Sequence, residues 1–263
     1  PIARVALSAR ARALGDADTS GRFAAAFRDD GALTVTAIGY DAAGRAVAEA
    51  AVAITIVAPE VADCHGWLDL YGQAYELGPD NEGVGDPVTL APPVNGLPYR
   101  YTESTSPRAS FFMDCSLALS LLRAAPQLRE RGVVEVADIG VYNYRCIGEG
   151  TPPDCPNGLS QHAHAKAIDL AGFTDADGAF YSVQDDWVID PAGEDTCDAA
   201  VEVGADAWLH ETICALKQAG TWNIVLTPNY NDSHRDHFHV DLTTGSDYIR
   251  SRPAPVDVGP DDD

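Results

Sequence analysis

The sequence predicts an α+β protein in which a small all-β module precedes a larger domain that mixes helices with strands. Three observations support this class. Residues 1–58 contain alternating and Val/Ile-rich segments, two helical segments follow later, and short apolar strands lie between and after those helices. A chain of 263 residues, of which 46% are hydrophobic, is long enough to build a core in each part.

The first module is predicted over residues 1–58. Strands are expected at 32–37 and 50–57, with a turn at 40–44 between them. Residues 18–23 and the stretch TVTAIGYDAAG resemble the turn and strand of bacterial immunoglobulin-like repeats. That resemblance implies a small β-sandwich, which would serve as a spacer or wall-anchoring module.

Residues 59–106 are rich in Pro and Gly, and the stretches ELGPDNEGVGDP and LAPPVNGLP are typical of loops. We interpret them as a linker, or as a long arm packed on the next domain and tied down by Cys64. The other end of the chain, residues 251–263, is expected to be a solvated acidic tail.

The domain with the chemistry is predicted over residues 107–250. Asp114 is placed to cap a helix over 115–131. A second helix, over 205–220, ends on Gly220. Strands are expected at 133–144, 222–226 and 237–242.

Six cysteines without a CxxC pair favour disulfides over a metal site, and disulfides imply an oxidising compartment. Spacing alone leaves the connectivity open. The local pairs Cys146–Cys155 and Cys197–Cys214 are plausible, because each closes a loop between expected elements.

A net charge of −23 opposes binding to nucleic acid or to anionic lipid, because such a surface repels phosphate. This charge disfavours a nuclease. No segment approaches the roughly 20 consecutive apolar residues of a membrane span, so membrane insertion is not expected.

Histidines cluster in two short segments, 160–169 and 234–241. If residues 237–242 form a strand, His237, His239 and Asp241 share one face, and the apolar residues between them share the other. The same alternation separates Asp169 from Ile168. Two neighbouring strands of this kind would bring Asp169 beside His239, with His162 arriving from the preceding loop.

Two imidazoles and one carboxylate form a common catalytic zinc set, in which water takes the fourth position. We therefore predict a Zn²⁺ ion on His162, Asp169 and His239. The alternative is a hydrogen-bonded His/Asp network without metal.

These motifs resemble known families. Ser160-x-His162, Ala167-x-Asp169 and His237-x-His239 are similar to the zinc peptidases of the D-Ala-D-Ala carboxypeptidase group. That group includes penicillin-insensitive murein endopeptidases and shares its fold with hedgehog signalling domains. A closer resemblance, over residues 107–245, is to the extensin-like C-terminal family.

The resemblance implies a small antiparallel sheet with helices packed on one side, and the same three zinc ligands. It also implies that His237 is an additional site histidine. As catalytic group we rank His237 first, then Asp236, then His234. Arg145 is expected to hold a substrate carboxylate or the developing oxyanion.

Other residues near the motifs receive no catalytic role. His164 is expected to lie outside the ligand set, and Ser160 to fix the loop. His65 and His210 are interpreted as structural. The wider group usually has Gly at the position of Ala165, and this difference is expected to be tolerable because Ala is the next-smallest residue.

The implied function is hydrolysis of bacterial peptidoglycan peptides by a zinc peptidase, as a D-Ala-type carboxypeptidase or an endopeptidase. The alternative is a non-catalytic zinc-containing cell-wall binding or structural module. The expected disulfides and the implied peptidoglycan substrate together favour a secreted, periplasmic or cell-surface location. The sequence leaves the oligomeric state open.

Overall fold

The computed structural model describes residues 2–9, 12–16, 31–56, 60–189, 196–197 and 203–250. The chain divides into two compact units, Pro1–Val61 and Ala62–Asp263. Both histidine clusters lie in the second unit.

The first unit contains a four-stranded sheet. Its strands are β1 (Arg4–Ala9), β2 (Arg12–Asp16), β3 (Gly31–Tyr40) and β4 (Ala46–Ile56). They pair antiparallel in the order β2-β1-β3-β4. Asp41 closes the β3–β4 turn, because its Oδ1 accepts the N–H groups of Ala43 and Arg45 at 2.9 and 3.0 Å. The two strands and the turn predicted here are confirmed.

An immunoglobulin-like sandwich requires a second sheet that faces the first across a core. The described residues of this unit form one sheet. The turn and strand predicted at residues 18–23 lie outside the described residues. The sandwich therefore stays a prediction.

The second unit combines helices with two sheets. Its helices are α1 (Cys64–Tyr71), α2 (Cys115–Glu130), α3 (Val183–Asp186) and α4 (Ala205–Gln218), with a 3₁₀ helix at Asp232–His234. Its strands are β5 (Tyr75–Leu77), β6 (Pro87–Leu90), β7 (Tyr99–Tyr101), β8 (Phe111–Asp114), β9 (Val133–Gly140), β10 (Ala167–Asp175), β11 (Phe180–Ser182), β12 (Ile224–Leu226), β13 (Phe238–Asp241) and β14 (Tyr248–Arg250).

The larger sheet has the order β14-β12-β13-β10-β9-β7, with β11 paired to β10, and the smaller one has the order β5-β6-β8. The pairs β7–β9 and β12–β14 are parallel, and the other pairs are antiparallel. The predicted α+β class is confirmed. The larger sheet exceeds the small one expected, because three-residue strands such as β7 and β14 are too short to show an alternating pattern.

Residues 62–106, expected as a linker or an arm, belong to the second unit. They supply α1, β5, β6 and β7. Val88 and Tyr99 are buried in the core of this unit. Single apolar residues between prolines and glycines show no periodicity, so the sequence pattern did not reveal these elements.

Both long helices begin where the sequence predicts. Asp114 Oδ1 accepts the N–H of Ser116 at 3.0 Å and caps the first turn of α2. Helix α4 begins at Ala205 and is followed by Gly220 in the left-handed conformation, with φ of +66°. One side of each helix is buried in the core.

Disulfides join Cys146 to Cys155, Cys197 to Cys214 and Cys64 to Cys115. The first two are the local pairs expected from the sequence, and they are confirmed. The third ties the start of α1 to the start of α2. These bonds are compatible with an oxidising compartment. Among the described residues, no helix has the length and apolar character needed to cross a bilayer.

Candidate metal centre

Two neighbouring strands position two of the three residues of the candidate centre. Strands β10 and β13 pair antiparallel, and their register sets Asp169 directly opposite His239. Phe238 and Val240 are fully buried in the core on the other face of β13. The alternation read from the sequence therefore holds in both strands.

His162 reaches the same point from a turn formed by residues 161–165. The segment after β9 runs beside this turn, and Asn143 N–H donates to the carbonyl oxygen of His162 at 3.2 Å. Because the residues after Gly140 pair with this turn and leave the sheet, β9 ends at Gly140 and not at 144 as predicted. Ser160 Oγ accepts the N–H of His162 at 3.2 Å, so Ser160 helps to fix the turn.

Three side-chain atoms converge at this point. His162 Nε2, Asp169 Oδ1 and His239 Nδ1 lie 3.1 Å from one another in each of the three pairs. Both imidazoles are buried, whereas the Asp169 side chain is 16% exposed, so solvent reaches the cluster at this carboxylate.

The remaining ring nitrogens fix the tautomers. His162 Nδ1 lies 2.7 Å from the carbonyl oxygen of Val141, which can only accept, so this nitrogen carries the proton. His239 Nε2 lies 3.2 Å from Asp241 Oδ2 and donates to that carboxylate in the same way. In their neutral forms both histidines therefore point lone pairs at Asp169 Oδ1, which is an arrangement that requires a positive charge between the atoms.

This donor set fits a zinc ion. Zn–N and Zn–O bonds of about 2.0–2.1 Å place tetrahedral ligand atoms about 3.3 Å apart, close to the 3.1 Å found here. Structural zinc sites close with four protein ligands, whereas catalytic sites use three and leave one position for water. The three atoms found here match the second type.

Without a metal, protons would supply the positive charge. Burial lowers the pKa of His239, but hydrogen bonds to the carboxylates of Asp169 and Asp241, with their negative charges, outweigh that effect and raise the pKa to about 10. Burial raises the pKa of Asp169, but the charges and hydrogen bonds of His162 and His239 outweigh it and hold that pKa well below its usual range. The metal-free centre is therefore strongly proton-binding.

A second group, made up of Cys64, Asp86 and Cys115, also brings potential ligand atoms within 4.8 Å. Its two sulfur atoms are joined in a disulfide. Metals bind thiolates, so this group is not a comparable site.

His237 lies beside the centre. Its Nε2 is 3.5 Å from Asp169 Oδ1, and its Nδ1 is 2.7 Å from Asp236 Oδ1. Strand β13 begins one residue later than predicted, because the chain turns through residues 232–236 first. That turn places the half-exposed Asp236 against His237, while no described contact joins Asp236 to the three convergent atoms.

His234 is fully buried behind His237, with ring centres 5.2 Å apart. Its Nδ1 lies 2.6 Å from Asn231 Oδ1, and Asn231 also caps the 3₁₀ helix. His234 therefore packs against the centre without contributing an atom to the convergent set.

Arg145 is held through its backbone, whose carbonyl oxygen accepts the N–H of Ser160 at 3.1 Å. In the described part of the chain, no contact joins its guanidinium to His162, Asp169 or His239. The structure thus brings the three predicted ligands together with His237, and it leaves Arg145 on the neighbouring segment.

The remaining histidines lie outside the centre. His164 Nδ1 donates to the carbonyl oxygen of Gly83 at 2.7 Å, and His65 pairs with Asp86. His210 is buried, with its ring stacked on Trp187 at 3.7 Å.

Two features of the centre were not assigned from the sequence. The sequence places Asp241 on the same strand face as His239 but assigns it no role. Its position two residues from His239 was the signal that the two side chains would lie close enough for a hydrogen bond. The Val141 carbonyl gave no signal, since a backbone acceptor is independent of residue type.

Fold and centre together define a disulfide-bonded α+β domain with a three-residue candidate metal centre built on an antiparallel strand pair and the turn that precedes it. The family described as extensin-like protein C-terminus matches residues 102–250, which is more than half of the chain. The protein therefore belongs to the extensin-like C-terminal family. No curated protein and no solved structure gives a significant match.

Proposed function

We propose that this protein is a zinc-dependent peptidase that hydrolyses peptide bonds of bacterial peptidoglycan, as a D-Ala-type carboxypeptidase or an endopeptidase. One observation carries the proposal. The lone pairs of His162 Nε2 and His239 Nδ1 converge with Asp169 Oδ1 at 3.1 Å, while the protons of both rings are held elsewhere.

A zinc ion on these three atoms would supply a water of pKa about 7 and would polarise the scissile carbonyl. The chain itself supplies the proton transfers. Because Asp236 holds the Nδ1 proton of His237, the Nε2 lone pair of that ring is directed at the centre. His237 would be placed to accept a proton from a water at the centre and to return it to the leaving amine, and Asp236 would stabilise the imidazolium in between.

The substrate class rests on the resemblance of the motifs to peptidoglycan peptidases, and two properties of the chain agree with it. The charge of −23 opposes a nucleic-acid substrate. Three disulfides suit a secreted, periplasmic or cell-surface location, where peptidoglycan lies. Arg145, on the segment beside the His162 turn, is the candidate for binding a substrate carboxylate.

A non-catalytic zinc-containing wall-binding module is the second candidate. The separate β-sheet unit, Pro1–Val61, is compatible with it, because this unit precedes the centre and contains none of its residues. Such a unit suits a spacer in a binding protein as well as in an enzyme.

The deciding experiment measures zinc content and then digestion of purified peptidoglycan. We expect about one zinc per chain in the parent and in His65→Ala, and little in His239→Ala. Zinc-loaded parent should release D-Ala or peptide fragments, and zinc-loaded His237→Ala should release neither. Full zinc content in a parent that releases no product would favour the binding module. Absence of zinc from the parent after reconstitution at neutral pH would rule out both the zinc peptidase and the zinc-containing binding module.

A further inference from the structure

The turn that carries His162 is contacted by a loop at residues 78–86. His164, in the same turn, donates from Nδ1 to the carbonyl oxygen of Gly83 at 2.7 Å. The Tyr142 hydroxyl, next to the Val141 carbonyl that holds His162, donates to the carbonyl oxygen of Glu82 at 3.0 Å. The side chains of His164 and Tyr142 thus bind the consecutive carbonyl groups of Glu82 and Gly83. The turn at residues 161–165 is called the metal turn below.

The loop backbone lies directly against the turn. Gly83 has φ of +84°, and a Cβ at this position would stand 2.4 Å from the carbonyl oxygen of Ala163. A glycine is required there for both reasons, because L residues disfavour this conformation and no space exists for a side chain.

The far end of the loop is fixed to helix α2. Asp86 N–H donates to Asp114 Oδ2 at 3.1 Å, and Asp114 N–H donates to the carbonyl oxygen of Ala165 at 3.1 Å. Asp114 is buried and also caps α2. The loop and the last residue of the metal turn therefore share one rigid anchor.

We propose that His164 is a positioning residue for the metal ligand His162, acting through the 78–86 loop. Of the three ligands, His162 alone lies outside a paired strand, so its backbone needs other restraints than the sheet ladder. The bond from His164 to Gly83 is a second restraint on this turn, beside the contact of His162 Nδ1 with the Val141 carbonyl. This inference rests on the proposed zinc site.

The test compares His164→Ala with His164→Asn, whose side-chain amide retains an N–H donor near the position of Nδ1. Outer-shell partners of metal ligands typically contribute 10- to 100-fold in affinity. For a residue one contact further out, we expect zinc affinity, measured by chelator competition, to fall about three- to tenfold in His164→Ala. His164→Asn should stay near the parent.

A second readout needs no zinc. Hydrogen exchange of the amides at 161–166 in the zinc-free protein should be faster in His164→Ala than in the parent or in His164→Asn. Gly83→Ala, which leaves His164 intact but pushes the loop away from Ala163, should change exchange and affinity in the same direction.

Parent-like affinity and exchange in His164→Ala would overturn the positioning role and leave the zinc site standing. Equal losses in His164→Asn and His164→Ala would also overturn it, since the bond to Gly83 would then not be the cause. A parent that binds no zinc would overturn the proposed function and this inference together.

Discussion

Asp169 and His239 stand directly opposite each other on β10 and β13, with Asp169 Oδ1 3.1 Å from His239 Nδ1. The ladder hydrogen bonds of two central strands thus fix the separation of these two side chains. A site built on strands holds its groups more tightly than one built on loops. The lone pair of His239 is aimed at Asp169 because Asp241, two residues along the same strand, holds the opposite ring nitrogen.

Asp241→Asn should weaken zinc binding about 10- to 100-fold. An amide in place of the carboxylate can donate to His239 Nε2, which moves the ring proton to Nδ1 and removes the ligand lone pair. Competition with a chelator measures this change. Asp236→Asn is the matched control, and its zinc affinity should equal that of the parent. Equal affinity in both variants would contradict the tautomer argument.

His237→Ala should retain zinc and lose about 10²- to 10⁴-fold in kcat on a peptidoglycan peptide, the usual contribution of a general acid–base group. Asp236→Asn should lower kcat in the same direction, because the amide can no longer stabilise the His237 imidazolium. Kinetics of zinc-loaded variants measure the loss. Turnover unchanged in both variants would remove His237 from the mechanism.

Zinc affinity should rise with pH between about 6.5 and 10, by about tenfold per unit for the proton that leaves His239. The reason is that hydrogen bonds and charges of Asp169 and Asp241 outweigh burial and raise the pKa of His239 to about 10, so zinc competes with this proton. Titration calorimetry at several pH values measures the slope. A pH-independent affinity over this range would contradict proton competition at His239.

The same shift predicts the stability of the zinc-free protein. A raised folded-state pKa contributes stability that is fully present below the unfolded pKa of about 6.5 and is lost as pH rises towards 10. In the zinc-loaded protein His239 is a neutral ligand, so this loss is absent. The difference in Tm between zinc-loaded and zinc-free protein should therefore widen as the pH rises from about 6.5 towards 10. A constant difference would argue against a raised pKa of His239 in the zinc-free protein.

Ala165→Val should destabilise the protein by about 2 kcal/mol, whereas Ala165→Gly should stay within about 0.5 kcal/mol of the parent. Ala165 is fully buried with φ of +51°, a conformation that a β-branched residue strongly disfavours. In Ala165→Gly the relief of strain offsets the lost methyl group and the greater freedom of the unfolded chain. Urea unfolding measures the free energy of unfolding of both variants. Equal values for Ala165→Val and Ala165→Gly would contradict the argument.

Ala165 also shows where sequence reasoning stopped. The difference from the usual Gly was judged by side-chain size, but the feature that matters is a left-handed backbone. A single sequence carries no φ angles, so a tolerated Ala looks like an ordinary one.

The shared face of Asp169 and His239 was predictable, because strand alternation has a period of two and a one-residue shift would expose the apolar faces of both strands. The cap of α2 was readable because it depends on nearby residues. The two local disulfides were only favoured among several pairings, because spacing does not fix connectivity. The fixation of His162 was not. It depends on the Val141 carbonyl and on a loop about eighty residues earlier in the chain.

The register of β10 and β13 has one more consequence. If β13 slipped by one residue, Phe238 or Val240 would face Asp169, and His239 would turn towards the core. The ligands would then be scattered across two faces of the sheet. A cation that binds the aligned trio would stabilise only the register in which the three atoms converge, so metal binding would widen the free-energy gap between the native pairing of β10 with β13 and a slipped one.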